Sequence, residues 1–351
     1  MSGEPASAET DPPDRSLLYA VIASLVLVIV AVAGGLGLSR LARSAPAAGP
    51  SPPFVRSGPA LPAPTEPRST DTGPFVFTQP LSAGCVAGDA VYVVSDGGGI
   101  GRFAFDRWQL IDPIARSLVA ATCSGDRLIA VGGGGRVVTI DDREQTIRSD
   151  SVQLDDFLGV APLADGVLAV GRAGTVQRQG LGGWGIYAGG IDEDLYAVAA
   201  FGPTSAWAVG AGGATYRLEP GGWRPVATGV TATLRAIAAR GIDDAVVVGD
   251  DGTVLLWSGG WKRIDAPAHV AFRAALRTGD GTYVAGDQGS LLWLSGNATS
   301  PSLARIDLGT TCTLRSLFGR GGEVWVVGSD GGHAAVWRIR QGAVFHWGEC
   351  P

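Results

Sequence analysis

Acidic residues stand side by side at five places: Asp141-Asp142, Asp155-Asp156, Asp192-Glu193-Asp194, Asp243-Asp244 and Asp250-Asp251. Neighbouring carboxylates serve two chemistries, glycosidic acid–base catalysis and calcium binding. Calcium needs six or more oxygens from a loop whose ligands alternate, and no Asp-x-Asp-x-Asp-Gly run is present. Most of these acids therefore read as solvated turn residues and caps. Asp192, Glu193 and Asp194, in a connection between repeats, are the best candidates for a site, with Asp155 and Asp156 beside them. The three histidines, His269, His333 and His346, are scattered, and no local Ser-His-Asp or Cys-His signature accompanies them. Glycine clusters at 132–135 (GGGG), 210–213 (GAGG) and 249–252 (GDDG) suggest phosphate cradles. Such a cradle needs a following Lys-Ser or Lys-Thr and a helix N-terminus. Neither occurs, and a turn requiring positive φ explains the clusters. No catalytic residue, metal or cofactor is expected.

The four cysteines, Cys85, Cys123, Cys312 and Cys350, form no Cys-x-x-Cys pair, which argues against zinc. Two disulfides, with three possible connectivities, compete with four buried thiols. The net charge is −6, and no basic block exists to neutralise a phosphate backbone, so nucleic acid is excluded as a partner. Lys262 is the single lysine among 27 basic residues, a bias that fits a GC-rich bacterial genome.

Three unlike segments carry these residues. Residues 1–16 are polar, acidic and proline-containing, and read as a disordered tail. Residues 17–38, LLYAVIASLVLVIVAVAGGLGL, are 22 residues without charge. As a helix they extend about 33 Å, enough for a bilayer core. The run exceeds an ordinary signal-peptide core and lacks a convincing cleavage site, so an uncleaved membrane anchor is predicted over a cleaved signal. Arg15 precedes it and Arg40 and Arg43 follow, a distribution that by itself places the C-terminal side in the cytoplasm. The four cysteines and the stalk that follows point the other way. That stalk, residues 39–74, is rich in Pro, Ala, Ser and Thr and reads as a semi-rigid linker. The expected location is the bacterial inner membrane with the C-terminal domain extracytoplasmic.

From residue 75 the chain repeats. LYAVAAFGPTSAWAVGAGGATYRLEPGGWRPV aligns with LRAIAARGIDDAVVVGDDGTVLLWSGGWKRI. Seven units open at Leu81, Leu118, Phe157, Leu195, Leu234, Phe272 and Leu314, 37 to 42 residues apart. Each holds a small apolar run, a continuous β-branched run, a more alternating run, and a fourth that begins near Trp108, Trp184, Trp223 or Trp261 and carries polar residues. That is the pattern of four antiparallel strands ordered from a crowded interior to an exposed edge. Seven such units predict an all-β, seven-bladed β-propeller over 75–351, behind one transmembrane helix and a disordered Pro-rich linker. Residues 75–79 are expected to pair with the blade built from 314–350. The tryptophans, fixed in the repeat, should pack between blades rather than stack sugars. The long connections at 148–156, 187–194, 228–233, 265–271 and 308–313 should gather on one face. Cys312 and Cys350 fall at that level, predicting a bridge that staples the closure, with Cys85–Cys123 joining the first strands of adjacent blades.

The run VVGDDGTVLLWSGGW resembles propellers with degenerate BNR or Asp-box repeats, including the photosystem II assembly and stability factor type. The resemblance covers 75–350, is strongest at 195–264, and implies the fold. The Asp-box is eroded: SGGW, PGGW and LGGW keep the glycines and Trp but lose Ser-x-Asp. The arginine cluster that sialidases of this architecture use cannot be matched, and no Trp-Asp dipeptide favours the WD40 type. Photosystem chemistry is not carried over. The function expected is a membrane-anchored, non-enzymatic scaffold that binds another protein through loops on a rigid ring; His269 joins the five acids of 155–156 and 192–194 as a candidate binding-face residue. The alternative is an envelope carbohydrate-binding or glycosidase-type propeller, which would need two carboxylates at the central mouth.

Overall fold

The structure, a computed structural model, describes Phe77 and residues 79–350 apart from 112–116, 145, 153–154, 181, 188, 267–268, 280 and 298–299. The tail, the apolar span 17–38 and the linker 39–74 lie outside the described residues.

Seven sheets of four antiparallel strands follow one another, each ordered first to fourth along the chain. The first strands are β1 (Leu81–Ala87), β5 (Leu118–Ser124), β9 (Phe157–Leu163), β13 (Leu195–Gly202), β17 (Leu234–Gly241), β21 (Phe272–Arg277) and β25 (Thr313–Arg320). Each touches the next, and β25 touches β1, so the ring is closed and the first strands form its inner wall. Second strands are sandwiched between neighbouring blades: β2 (Ala90–Ser95) is buried at every residue, and Ala245 to Val248 are fully buried. Fourth strands are polar and exposed, such as β8 (Thr146–Ser151), which shortens the connection expected at 148–156.

The glycine that ends the second strand in blades two to six is required by close approach rather than by positive φ. A Cβ on Gly249 would lie 2.2 Å from the Thr233 carbonyl oxygen, and one on Gly132 1.6 Å from that of Ser117. The backbone closes there because the turn that follows is bonded to the residue before its own first strand; the Asp250 N–H donates to the Thr233 carbonyl at 2.9 Å. Positive φ comes two and three residues later, at Asp251 (55°) and Gly252 (65°). The glycine clusters are thus second-to-third turns, as their recurrence implies.

The repeat tryptophans face the preceding blade. Trp184 stacks on Phe157, centroids 5.6 Å apart, over Val131 and Val137 of the second blade. Trp261 meets Trp207 of the fourth blade at 5.2 Å. The seam between blades seven and one is the richest in aromatics: Phe103 lies 5.4 Å from Trp325 and 5.2 Å from Trp347.

The last blade carries its own fourth strand, β28 (Ala343–Gly348), paired with β27 (His333–Arg340). Of residues 75–79, Phe77 and Gln79 are described and neither is in a strand; the others lie outside the described residues. Instead of extending a sheet, Phe77 packs into the aromatic seam. β28 forms the outer edge of the last blade. Two disulfides are present. Cys85–Cys123 joins β1 to β5, and Cys312–Cys350 ties the connection into the last blade to the chain beyond β28.

Candidate functional site at the channel mouth

The face that holds the second-to-third turns and the connections into each first strand is called the upper face here. The residue after the opening Leu or Phe of every unit lies at its central mouth, half-buried: Ser82, Val119, Leu158, Tyr196, Arg235, Arg273 and Arg315. Three neighbouring blades therefore contribute arginine at one level. In blades one, five and six the turn residue after the second run is an acid, Asp96, Asp250 and Asp287.

Arg235 grips Asp250 side-on, Nε to Oδ1 at 2.5 Å and Nη2 to Oδ2 at 2.8 Å. Arg273 holds Asp287 in the same way, at 2.5 and 3.0 Å. Side-on pairing uses one edge of the planar guanidinium and leaves the Nη1 end open. These side chains are about 30% exposed (31% for Arg235 and 30% for Arg273), enough for a ligand to reach that end. Arg315 differs. Its Nε donates to the Ser329 hydroxyl at 2.7 Å, so its own blade provides no counter-charge. The carboxylate that offsets it is Asp96 of blade one, whose pKa burial raises and Arg315 pulls back. Burial also works to raise Asp287, but the bonds from Arg273 and Thr313 and the charges of Arg273 and Arg235 prevail and lower it. Arg235 also lies over the Tyr196 ring, 5.7 Å from its centroid, which extends the cationic surface onto an aromatic one.

The acids singled out from sequence sit at the rim of this face and are engaged in holding it together. Asp156 accepts from the Gly134 N–H at 2.8 Å and from Arg172 at 2.9 Å, and these bonds lower its pKa. Asp194 accepts from the Ala173 N–H at 2.9 Å and from Arg172 at 3.2 Å. An acid ahead of one blade thus caps the turn of the blade before it, and Arg172 links two such caps. Glu193 accepts from the Tyr216 hydroxyl at 2.7 Å, which lowers the pKa of Glu193. Asp155 and Asp192 are exposed, and His269 is exposed on the connection into blade six, two blades beyond Asp194. The structure brings Asp156 and Asp194 together through Arg172, and leaves His269 apart. Among the described residues no group of three or more His, Cys, Asp or Glu gathers as metal ligands.

Asp250, read from sequence as a solvated turn residue, is instead the anchor of a mouth arginine. The signal was present: openings Leu-Arg-Ala, Phe-Arg-Ala and Leu-Arg-Ser recur in units five to seven, with Asp, Asp and Ser following the second-run glycine.

No protein-family model matches the chain, and no curated protein matches it. Solved structures do. The chain is similar to the WD40 repeats of RRP9 at 13% identity, with a TM-score of 0.62 over 72% of this chain and 88% of that one. It is similar to YCF48 from Cyanidioschyzon merolae at 13% identity, with a TM-score of 0.61 over 76% and 97%. A structure of YCF48 bound to D1 peptide matches at 16% identity, with a TM-score of 0.51 over 64% and 77%. At these identities the likeness is one of fold alone.

Proposed function

We propose that the protein is a membrane-anchored, non-enzymatic scaffold whose propeller receives an anionic segment of another protein at the upper mouth. The observation that carries this reading is the run of Arg235, Arg273 and Arg315 on consecutive blades, held at one level with their outer N–H groups open. Guanidinium ends presented on a rigid wall suit carboxylates, because the geometry is set before the ligand arrives. The likeness to a propeller solved with a bound peptide supports a protein ligand. The apolar span 17–38 and the two disulfides support a tether with the propeller on the oxidising side of a bacterial inner membrane. A glycosidase reading is less well supported, because Asp250 and Asp287 are each clamped by arginine rather than free to act as acid and nucleophile.

A photo-reactive amino acid at Tyr196, in the mouth, tests the reading in the source cell. It should give a discrete protein adduct, whereas the same probe at Ile186, 83% exposed on a fourth strand, should give none. Protease added to spheroplasts should reach the propeller. Adducts from Ile186 and not from Tyr196 would place binding elsewhere.

A further inference from the structure

On the lower face, opposite the mouth, the repeat leaves one position unfilled. In each blade one side chain of the third strand faces the following blade, beside a ladder partner on the second strand. Four blades place arginine there: Arg102, Arg178, Arg217 and Arg338, paired with Tyr92, Leu168, Trp207 and Trp325. Two place Leu256 and Trp293. The second blade has Thr139, beside Ile129.

Blade four shows what the arginine does. Arg217 lies over the Trp207 ring, 5.6 Å from its centroid, with Nε 3.3 Å from Glu219 and Nη2 3.6 Å from Asp243 of the next blade. Both carboxylates have counterparts at the same register around Thr139. Asp141 stands two residues after it, as Glu219 stands after Arg217. Asp165 occupies the first-to-second turn of the third blade, as Asp243 does in the fifth. Both carboxylates of the seat are in place, and threonine at 139 is too short to lie between them as Arg217 lies between Glu219 and Asp243.

The wedge between blades two and three is accordingly open, a cavity of about 710 Å³ lined by Ile129, Thr139, Asp141 and Asp165 among others. Its wall holds five carboxylates and three guanidiniums. Arg127 reaches Asp141 at 2.6 Å and Arg178 reaches Asp165 at 2.7 Å, so these two acids are engaged from the edges. Glu144 and Asp150, on the same wall, make no side-chain pair among the described residues. Arg148, the ladder partner of Thr139 on the outer strand, is exposed and also makes no ion pair there.

We propose that this wedge is a docking seat for an arginine side chain of a partner protein, which takes the place that Arg217 fills in blade four. The stem would lie on Ile129 and the guanidinium between Asp141 and Asp165. The excess of carboxylates favours a cation, and the Arg217 guanidinium lying between the equivalent Glu219 and Asp243 favours a guanidinium over an ammonium. This inference does not depend on the mouth.

The test is titration of the full-length protein, labelled at isoleucine methyls, with arginine amide, lysine amide and citrulline amide. Arginine amide should shift the Ile129 methyl saturably at millimolar concentration; the other two should bind at least tenfold more weakly. Thr139→Arg, which restores the repeat residue, should abolish the shift while leaving the unfolding midpoint unchanged or higher. Asp165→Asn should weaken binding several-fold. Equal binding of lysine amide, or saturation that survives Thr139→Arg, overturns the proposal. Binding that emerges only when Arg40, Arg43, Arg56 and Arg68 are changed to Gln would assign the seat to the chain's own stalk and overturn the assignment to a partner.

Discussion

Trp325→Ala should lower the free energy of unfolding by about 3–5 kcal/mol, the range for truncating a large aromatic side chain in a packed core. Trp325 is 2% exposed and sits at the seam where the ring closes. It stacks on Trp347 at 5.6 Å, with an interplanar angle of 14°, meets Phe103 of the first blade, and carries Arg338 5.3 Å above its ring. No strand ladder crosses from blade seven to blade one among the described residues; the Ser329 hydroxyl reaches the Leu81 carbonyl at 3.5 Å, and aromatic packing covers most of the rest of the seam. Trp184→Ala provides the comparison: Trp184 is half-buried, and its blade is held in sequence on both sides. Denaturant unfolding of the two variants should separate them by about 2 kcal/mol or more, a gap set by how much of each ring is buried. Equal losses would mean that the seam is no more dependent on its aromatics than any other wedge.

Breaking Cys85–Cys123 by the double change to Ala should cost about 4 kcal/mol. The bridge closes a loop of 38 residues, and the chain-entropy relation gives that figure for a loop of this length. Cys312–Cys350 has the same separation, so its removal should cost the same amount if restriction of the unfolded chain is the dominant effect. Chemical denaturation with and without reductant measures both. A loss under 1 kcal/mol for the first bridge would show that β1 and β5 are held by packing and by the bonds from Ser82 to Leu118 and from Gly88 to Gly125, with the sulfurs adding little.

The architecture was legible because each blade buries the same places. A fully covered second strand must be continuously apolar, and an edge strand must be polar, so 37- to 42-residue units declare four strands each. The disulfide partners were legible from the level at which each cysteine falls in its unit. The mouth was not. Arg235 and Asp250 are 15 residues apart, joined only once the turn folds back over the first strand, and each in isolation reads as solvent-exposed. The rim acids carried the opposite illusion: Asp156 and Asp194 look like ligands in a loop, yet their oxygens are occupied by backbone N–H groups and Arg172. The open wedge was invisible for a different reason. Thr139 is ordinary by itself, and its shortness has meaning only against Arg217 at the same register, with Asp141 and Asp165 already in place.

The central claim, that the arginine mouth binds a protein segment, meets its most direct test in a charge-neutral mouth. Arg235, Arg273 and Arg315 changed to Gln, together with Asp96→Asn, Asp250→Asn and Asp287→Asn, remove the guanidiniums without stranding a carboxylate that they offset, since a carboxylate left without its arginine would itself destabilise the fold. The measurement is the yield of the adduct formed from a photo-reactive group at Tyr196, with the unfolding midpoint recorded alongside. At an unchanged midpoint the yield should fall at least tenfold, roughly 1.4 kcal/mol or more of binding energy. An undiminished yield from the neutral mouth would contradict the account.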